Sequence, residues 1–427
     1  MRAKRFTLLG ATAMSTALAL LADPVSAATP ICVQATARPV SQTWMPTESE
    51  WSAARATANA MTLDELAGAS MVVRYVGRNE KRTRVQSAKN LRVLGKQQPS
   101  RAMPALGASG AILFPDNAKS ARQAYLQAKA FNKVMPDSFF TAVDQEGGVV
   151  NRLRGDIEPP VSAQKIGRRA DIKLAAENAF LSARQLRAAR VGMVFAPVAD
   201  VKSQYTPKYL RPRLHAYNSK LVGQLVAAQV QAYSVQGVMP VVKHFPGIGA
   251  IPGDTHKSAT RYRYDVARLC LYDLAPFRKA IEAGASAIMV GHGIYAGIDG
   301  EPATGSRTFV TTLLREEMNF DGIIITDSMT MKAASYGLEK NQNLYIRSLA
   351  AGVDLLLMPG NPITTKQRIV AALKNNQLSV EERRESIARV LAYRAAQKRV
   401  VATLKAYKPG SEFLLHEAQW FAYELKA

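Results

Sequence analysis

Eight short apolar runs recur along this chain, at intervals of about 30 to 50 residues, and they constrain the fold more than any other feature. They are Met71–Tyr75, Gly110–Phe114, Phe140–Val143, Met193–Pro197, Met239–Val242, Ala285–Val290, Gly322–Thr326 and Val353–Leu357. Their residues are apolar in succession rather than in alternation, which is the pattern of strands buried on both faces. Segments between them, such as Ala121–Val134, Leu174–Ala189, Leu221–Val235, Leu271–Ala283 and Leu344–Ala351, carry apolar residues at the spacing of amphipathic helices. Strands alternating with helices imply a parallel sheet covered by helices. Eight such units predict an α/β fold with a single (β/α)8 TIM-type barrel, an N-terminal arm and a C-terminal helical tail. An open doubly wound sheet is the structural alternative.

The ends of the chain read differently. Arg2, Lys4 and Arg5 precede an apolar run from Phe6 to Leu21, and Val25-Ser26-Ala27 offers small residues for cleavage. This is the form of a secretory signal peptide, 1–27. The run is about 16 residues and interrupted by polar ones, short of the roughly 20 needed to span a bilayer. Cys32 lacks the context of a lipid-anchored cysteine. Residues 28–55 read as a polar arm containing Trp44 and Trp51, and 56–405 as the barrel, whose first helix starts at the capping box Thr62-Leu-Asp-Glu65. Val380–Leu404 reads as one long basic helix. The tail 406–427 carries Phe413, Trp420, Phe421 and Tyr423, and is expected to pack on the body. Residues 78–101, with eight basic side chains and one acidic, show no clear periodicity. They read as a solvated insertion or as an anion-binding loop on the barrel rim.

The two cysteines, Cys32 and Cys270, either pair across an exported protein or remain free thiols. The chain has 56 basic and 33 acidic side chains, a net charge of +23. Such a charge attracts polyanions. Export directs that attraction to the anionic cell envelope, in a secreted or periplasmic setting, and away from nucleic acid.

Barrels of this kind place their chemistry at the C-terminal ends of the strands. There the sequence offers Asp144-Gln-Glu-Gly-Gly with Arg152 beyond, then Asp200, Lys243-His244, Gly291-His292 and Thr326-Asp327-Ser328. Acids and bases gathered at one rim suit a hydroxyl-rich ligand. The densest stretch is Lys243–His256, in which three glycines and two prolines shape a loop that delivers Asp254 and His256 two positions apart.

These motifs carry a resemblance. Ala142-Val-Asp-Gln-Glu-Gly-Gly, Phe195-Ala-Pro-Val-Ala-Asp-Val, Lys243-His-Phe-Pro-Gly with Asp254-Thr-His256, and Gly322-Ile-Ile-Ile-Thr-Asp-Ser-Met stand in the order and spacing of family 3 glycoside hydrolases. Within that family the chain resembles the β-N-acetylglucosaminidase branch, over residues 60 to 360. Ile248, Val149, Ser328 and Asn218 depart from the branch's usual residues, and Arg213 sits in a divergent neighbourhood.

The resemblance implies a retaining exo-acting enzyme without metal or cofactor that removes terminal N-acetylglucosamine from cell-wall fragments or related glycans as a monomer. Asp327 corresponds to the nucleophile, His256 to the general acid/base and Asp254 to its orienting carboxylate. Asp144, Arg152, Arg213, Lys243 and His244 correspond to substrate-binding positions. A β-glucosidase of the same family and a non-catalytic glycan-binding barrel are the alternatives. Because a histidine adds no second negative charge, phosphate is a candidate acceptor beside water.

Overall fold

The computed structural model describes residues 30–32, 42–338 and 343–406. The expected signal peptide, most of the arm's first half and residues 407–427 of the tail lie outside them. From Cys32 onward the described residues belong to one unit.

All eight expected strands form, in the expected order: β1 (Met71–Arg74), β2 (Gly110–Leu113), β3 (Phe140–Val143), β4 (Met193–Val194), β5 (Met239–Phe245), β6 (Ala287–Val290), β7 (Ile323–Thr326) and β8 (Leu356–Leu357). Each pairs in parallel with its sequence neighbours, and β1 returns to pair with β8. A parallel bridge between Ile325 and Leu355 joins β7 to β8 and closes the barrel. The open-sheet alternative is thereby excluded.

Side chains alternate across the strands as the pleat requires. Val72, Ile112, Phe140, Ala142, Met239, Val241, Met289, Ile323 and Ile325 fill the interior, whereas Met71, Val73, Ala111, Leu113 and Val143 pack outward against the helices. The continuous apolar runs follow from this, since each face meets a dry neighbour.

The last helix, Val380–Ala406, closes the N-terminal ends of the strands and gives its basic residues an unexpected use. Arg394 donates to the carbonyls of Ser138 and Phe139, and Gln397 to those of Gly192 and Gly237, just ahead of β3, β4 and β5. Arg389, with Arg315 from the helical segment Thr308–Glu317 ahead of β7, holds the buried Asp354, whose Oδ2 accepts the Ile324 N–H at 2.7 Å. This knot fixes β7, the strand that delivers Asp327.

Two helical stretches went unread in the sequence. Ahead of the helix expected at Thr62, Thr47 caps another from Glu48 to Ala60. Its Ala-rich face shows little amphipathic pattern, yet Trp51 meets Tyr393 edge-on and Glu50 pairs with Arg399. Residues 78–101, which showed no clear periodicity, are largely helical. Thr83 and Gln86 form a capping box for a helix Arg84–Leu94 that ends at a left-handed Gly95, and a second helix spans Pro99–Leu106. The dense charge masked the period, while the caps were legible.

Cys32 and Cys270 form a disulfide with Cα atoms 5.6 Å apart, which decides the pairing the sequence left open. The bond fastens the N-terminal segment to the helical segment that follows the Lys243–His256 loop. No described helix is long and apolar enough to cross a membrane.

Candidate active site

The C-terminal rim holds a compact charged group. Lys243 is buried on β5, and its Nζ lies 2.6 Å from Glu146 Oε1 and 2.9 Å from Asp144 Oδ1. Arg213 grips the same Glu146 with both Nε and Nη2, each at 2.8 Å. Burial alone would raise the Glu146 pKa, but Lys243 and Arg213 overcome it and hold the carboxyl well below the ordinary range. The same carboxylates keep Lys243 protonated against the opposing effect of burial. Arg152 stands 3.9 Å from Asp144 and over the Phe114 ring. Asp144 thus remains partly exposed at the edge of the group, able to accept sugar hydroxyls.

His244 is set by Asp200, which is fully buried. Asp200 Oδ2 lies 2.7 Å from His244 Nδ1, while its Oδ1 accepts the backbone N–H groups of His244 at 3.3 Å and Ile248 at 2.8 Å. One carboxylate therefore fixes both the imidazole and the start of the loop. His244 Nε2 is left toward the site, 3.4 Å from Arg213 Nη2.

Asp327 follows β7 directly. Its N–H donates to Val290 O at 2.8 Å, and its Oδ1 accepts the Ser328 N–H at 2.7 Å. Burial raises its pKa, but His244 first, then His292, the Ser328 N–H and Lys243, lower it further, so the group stands ionised. His292, at the end of β6, is buried between Thr304 Oγ1 at 2.7 Å and the Ser328 carbonyl at 3.0 Å. Burial lowers its pKa, which keeps the ring neutral and lets it position the residue beside Asp327.

The loop from Phe245 to His256 is packed, not free. A Cβ on Gly249 would fall 1.8 Å from Val201 O, so only glycine permits this approach. The Gly249 carbonyl accepts from Ser203 and Thr206 at 3.0 and 2.6 Å, and the Gly247 carbonyl from Tyr295 at 2.7 Å. At the tip, His256 Nδ1 lies 2.9 Å from Asp254 Oδ1, which also accepts the His256 N–H at 3.0 Å. The His256 side chain is 61% exposed. Its backbone rests on the chain that follows Asp327: Ala333 N–H donates to Thr255 O at 3.2 Å and Lys332 N–H to His256 O at 3.5 Å. Tyr209 Oη reaches the Gly253 carbonyl at 3.4 Å.

Residues 90–393 match the family model described as the glycosyl hydrolase family 3 N terminal domain. The chain belongs to glycosyl hydrolase family 3. A β-hexosaminidase of Methylococcus capsulatus is 34% identical over 64% of this chain and 81% of its own length. A β-hexosaminidase of Vibrio cholerae is 31% identical over 64% of this chain and 85% of its own. Among solved structures, a family 3 β-N-acetylglucosaminidase from Paenibacillus sp. str. FPU-7 superposes with a TM-score of 0.71 at 26% identity, covering 82% of this chain and 65% of that one. The β-N-acetylglucosaminidase of Thermotoga maritima, at 23% identity and a TM-score of 0.66, shares the fold.

As a family 3 glycoside hydrolase, the chain brings Asp144, Arg152, Arg213, Lys243, His244 and Asp327 to one rim, with Asp254 and His256 paired on the loop above. Three contributors received no role from the sequence: Glu146, Asp200 and His292. Glu146 lies inside the Asp144-Gln-Glu motif, and all three follow strand ends, where a buried polar group needs a partner. That requirement was the available signal. Among the described residues no group of three or more His, Cys, Asp or Glu side chains is arranged to ligate a metal.

Proposed function

We propose that this chain is an exported, retaining exo-β-N-acetylhexosaminidase that removes terminal N-acetylglucosamine from peptidoglycan fragments or related glycans. The observation that carries this reading is the Asp254–His256 pair at 2.9 Å, on a loop tip bonded to the segment that follows Asp327. A nucleophile and a proton donor are thus supplied by neighbouring but separate parts of the rim, as retaining hydrolysis requires.

In the first step an Asp327 carboxylate oxygen attacks the anomeric carbon. The bond to the leaving oxygen breaks, and His256 Nε2 gives that oxygen its proton. Asp254 holds Nδ1–H and stabilises the imidazolium beforehand. Its own pKa is pushed up by burial but drawn below the usual value by the His256 N–H and ring, so it remains a carboxylate throughout. In the second step His256 takes a proton from water, the water oxygen forms its bond to the anomeric carbon, and Asp327 departs as the carboxylate. Asp144, Arg152 and His244 face the sugar, while Lys243 and Arg213 are largely committed to Glu146 and position these groups.

The N-terminal sequence and the Cys32–Cys270 disulfide support export, because disulfides persist in oxidising compartments. The net charge of +23 supports work close to an anionic envelope. Release of 4-nitrophenol from the β-N-acetylglucosaminide, compared with the β-glucoside, tests the activity. Turnover of the first, lost in Asp327→Ala, is expected. Preference for the glucoside would replace the reading with a β-glucosidase, and turnover of neither would leave a glycan-binding barrel. Cell fractionation tests export, and digestion of purified muropeptides tests the substrate.

A further inference from the structure

The segment between β4 and the helix Ser219–Val235 sends Arg213 into the sugar site, but it also lines a separate cavity of about 310 Å3. The other wall is the helix Ala163–Arg169, and the cations at the cavity are Arg168, Lys202 and Arg211. Among the described residues no carboxylate lines it. Lys202 is only 8% exposed, and its Nζ donates to one backbone carbonyl, His215 O, at a long 3.3 Å. Arg211 Nε is satisfied by Thr206 O, which leaves the rest of the guanidinium for the cavity.

A buried ammonium is costly without an opposite charge, and an ammonium has three protons to place. Lys243 shows how the fold meets that cost elsewhere, with two carboxylates within 2.9 Å. Lys202 has no such partner. Burial lowers its pKa and the neighbouring Arg168 lowers it further, a like-charge repulsion that an anion would relieve. His215 adds no charge of its own. Its Nδ1 meets Val198 O at 3.1 Å and its Nε2 meets Gln229 at 3.0 Å, and burial pushes the ring to about 4, so it is a neutral wall.

We propose that this cavity binds a phosphate group, free or carried on a small polyol or sugar, through Lys202, Arg168 and Arg211. Three cations without a carboxylate favour a multiply charged oxyanion over a monovalent one. The volume exceeds that of phosphate alone, and the exposed Tyr217 ring borders the remainder.

Isothermal titration of the full-length chain with inorganic phosphate, and separately with glycerol 3-phosphate, tests the site at constant ionic strength. One saturable site is expected, weakened at least ten-fold in Lys202→Met and in the Arg168→Gln/Arg211→Gln double variant. The latter two side chains are on the surface, so the double variant reports even if Lys202→Met folds poorly. Arg152→Gln, in the sugar site, is expected to leave this binding within two-fold. No saturable binding of either anion overturns the proposal, as does binding that Arg152→Gln abolishes and the cavity variants spare. Tighter binding of glycerol 3-phosphate identifies a phosphoester as the occupant, and equal or weaker binding identifies free phosphate. Both results uphold the site.

Discussion

Lys243 Nζ lies 2.6 Å from Glu146 Oε1, both side chains almost wholly buried, with Asp144 on the same ammonium at 2.9 Å. Neither is tolerable alone at that depth. Removing one partner of a buried ion pair costs about 3–5 kcal/mol, because the other charge is stranded. Glu146→Gln strands two cations, although Lys243 keeps Asp144. A loss of about 3 kcal/mol in denaturant unfolding is expected, with kcat/KM on the β-N-acetylglucosaminide falling ten-fold or more. An unchanged midpoint would show that Arg213 and Lys243 find other partners.

The Asp254–His256 pair predicts a dependence on the leaving group. In the proposed mechanism a poor leaving group needs the proton of His256, whereas 4-nitrophenolate departs without it. His256→Ala should lose about 10²–10⁴-fold in kcat/KM on an alkyl or disaccharide substrate, and much less on 4-nitrophenyl glycosides. Asp254→Asn should act in the same direction but more weakly, since its effect passes through the imidazole. Equal losses across leaving groups, measured as a Brønsted series, would remove His256 from the proton-transfer role.

Beneath the loop, Asp273 predicts how stability varies with pH. Its Cβ would lie 3.0 Å from a Cβ on Gly247, and its Oδ2 accepts the Tyr262 hydroxyl at 2.5 Å. Burial pushes this carboxyl up to about 6, against the pull of Tyr262 and Arg268. The folded chain therefore holds this proton more tightly than the unfolded chain does. Its contribution is full below about pH 4 and is lost as pH rises through about 6, an effect of order 3 kcal/mol. Asp273→Asn should remove that slope from unfolding midpoints measured between pH 4 and 7. A slope that persists in the variant would assign it to another group.

The disulfide predicts sensitivity to reductant. Cys32 and Cys270 close a loop of 238 residues, and a bond of this kind contributes about 2–4 kcal/mol. Cys270→Ser should melt at a lower temperature than the wild type, and dithiothreitol should lower the wild type toward the variant while leaving the variant unchanged. A wild type indifferent to reductant would mean that the bond adds little to stability.

The barrel was legible in the sequence because a strand buried on both faces must be apolar at every position, and the eight runs state that locally. Helix ends were legible for the same reason: the Thr62, Thr83 and Thr47 caps are settled within four residues of chain. The rim acids and bases could also be read from their places after the strands.

What the sequence could not supply was the pairing. Arg213 looked like a sugar ligand, and only the closed barrel shows its guanidinium on Glu146, 67 residues away. Asp200 stood after β4 without a role until folding set it against His244 on β5. The basic helix Val380–Ala406 read as charge, and only its place under the strand ends turned Arg389 and Arg394 into partners for Asp354 and for free carbonyls. Local sequence determined the elements, because propensity, capping and burial pattern act over a few residues. Tertiary structure alone decided which charges share a dry site, because a charge taken out of water takes its partner from whatever the fold brings within about 3 Å.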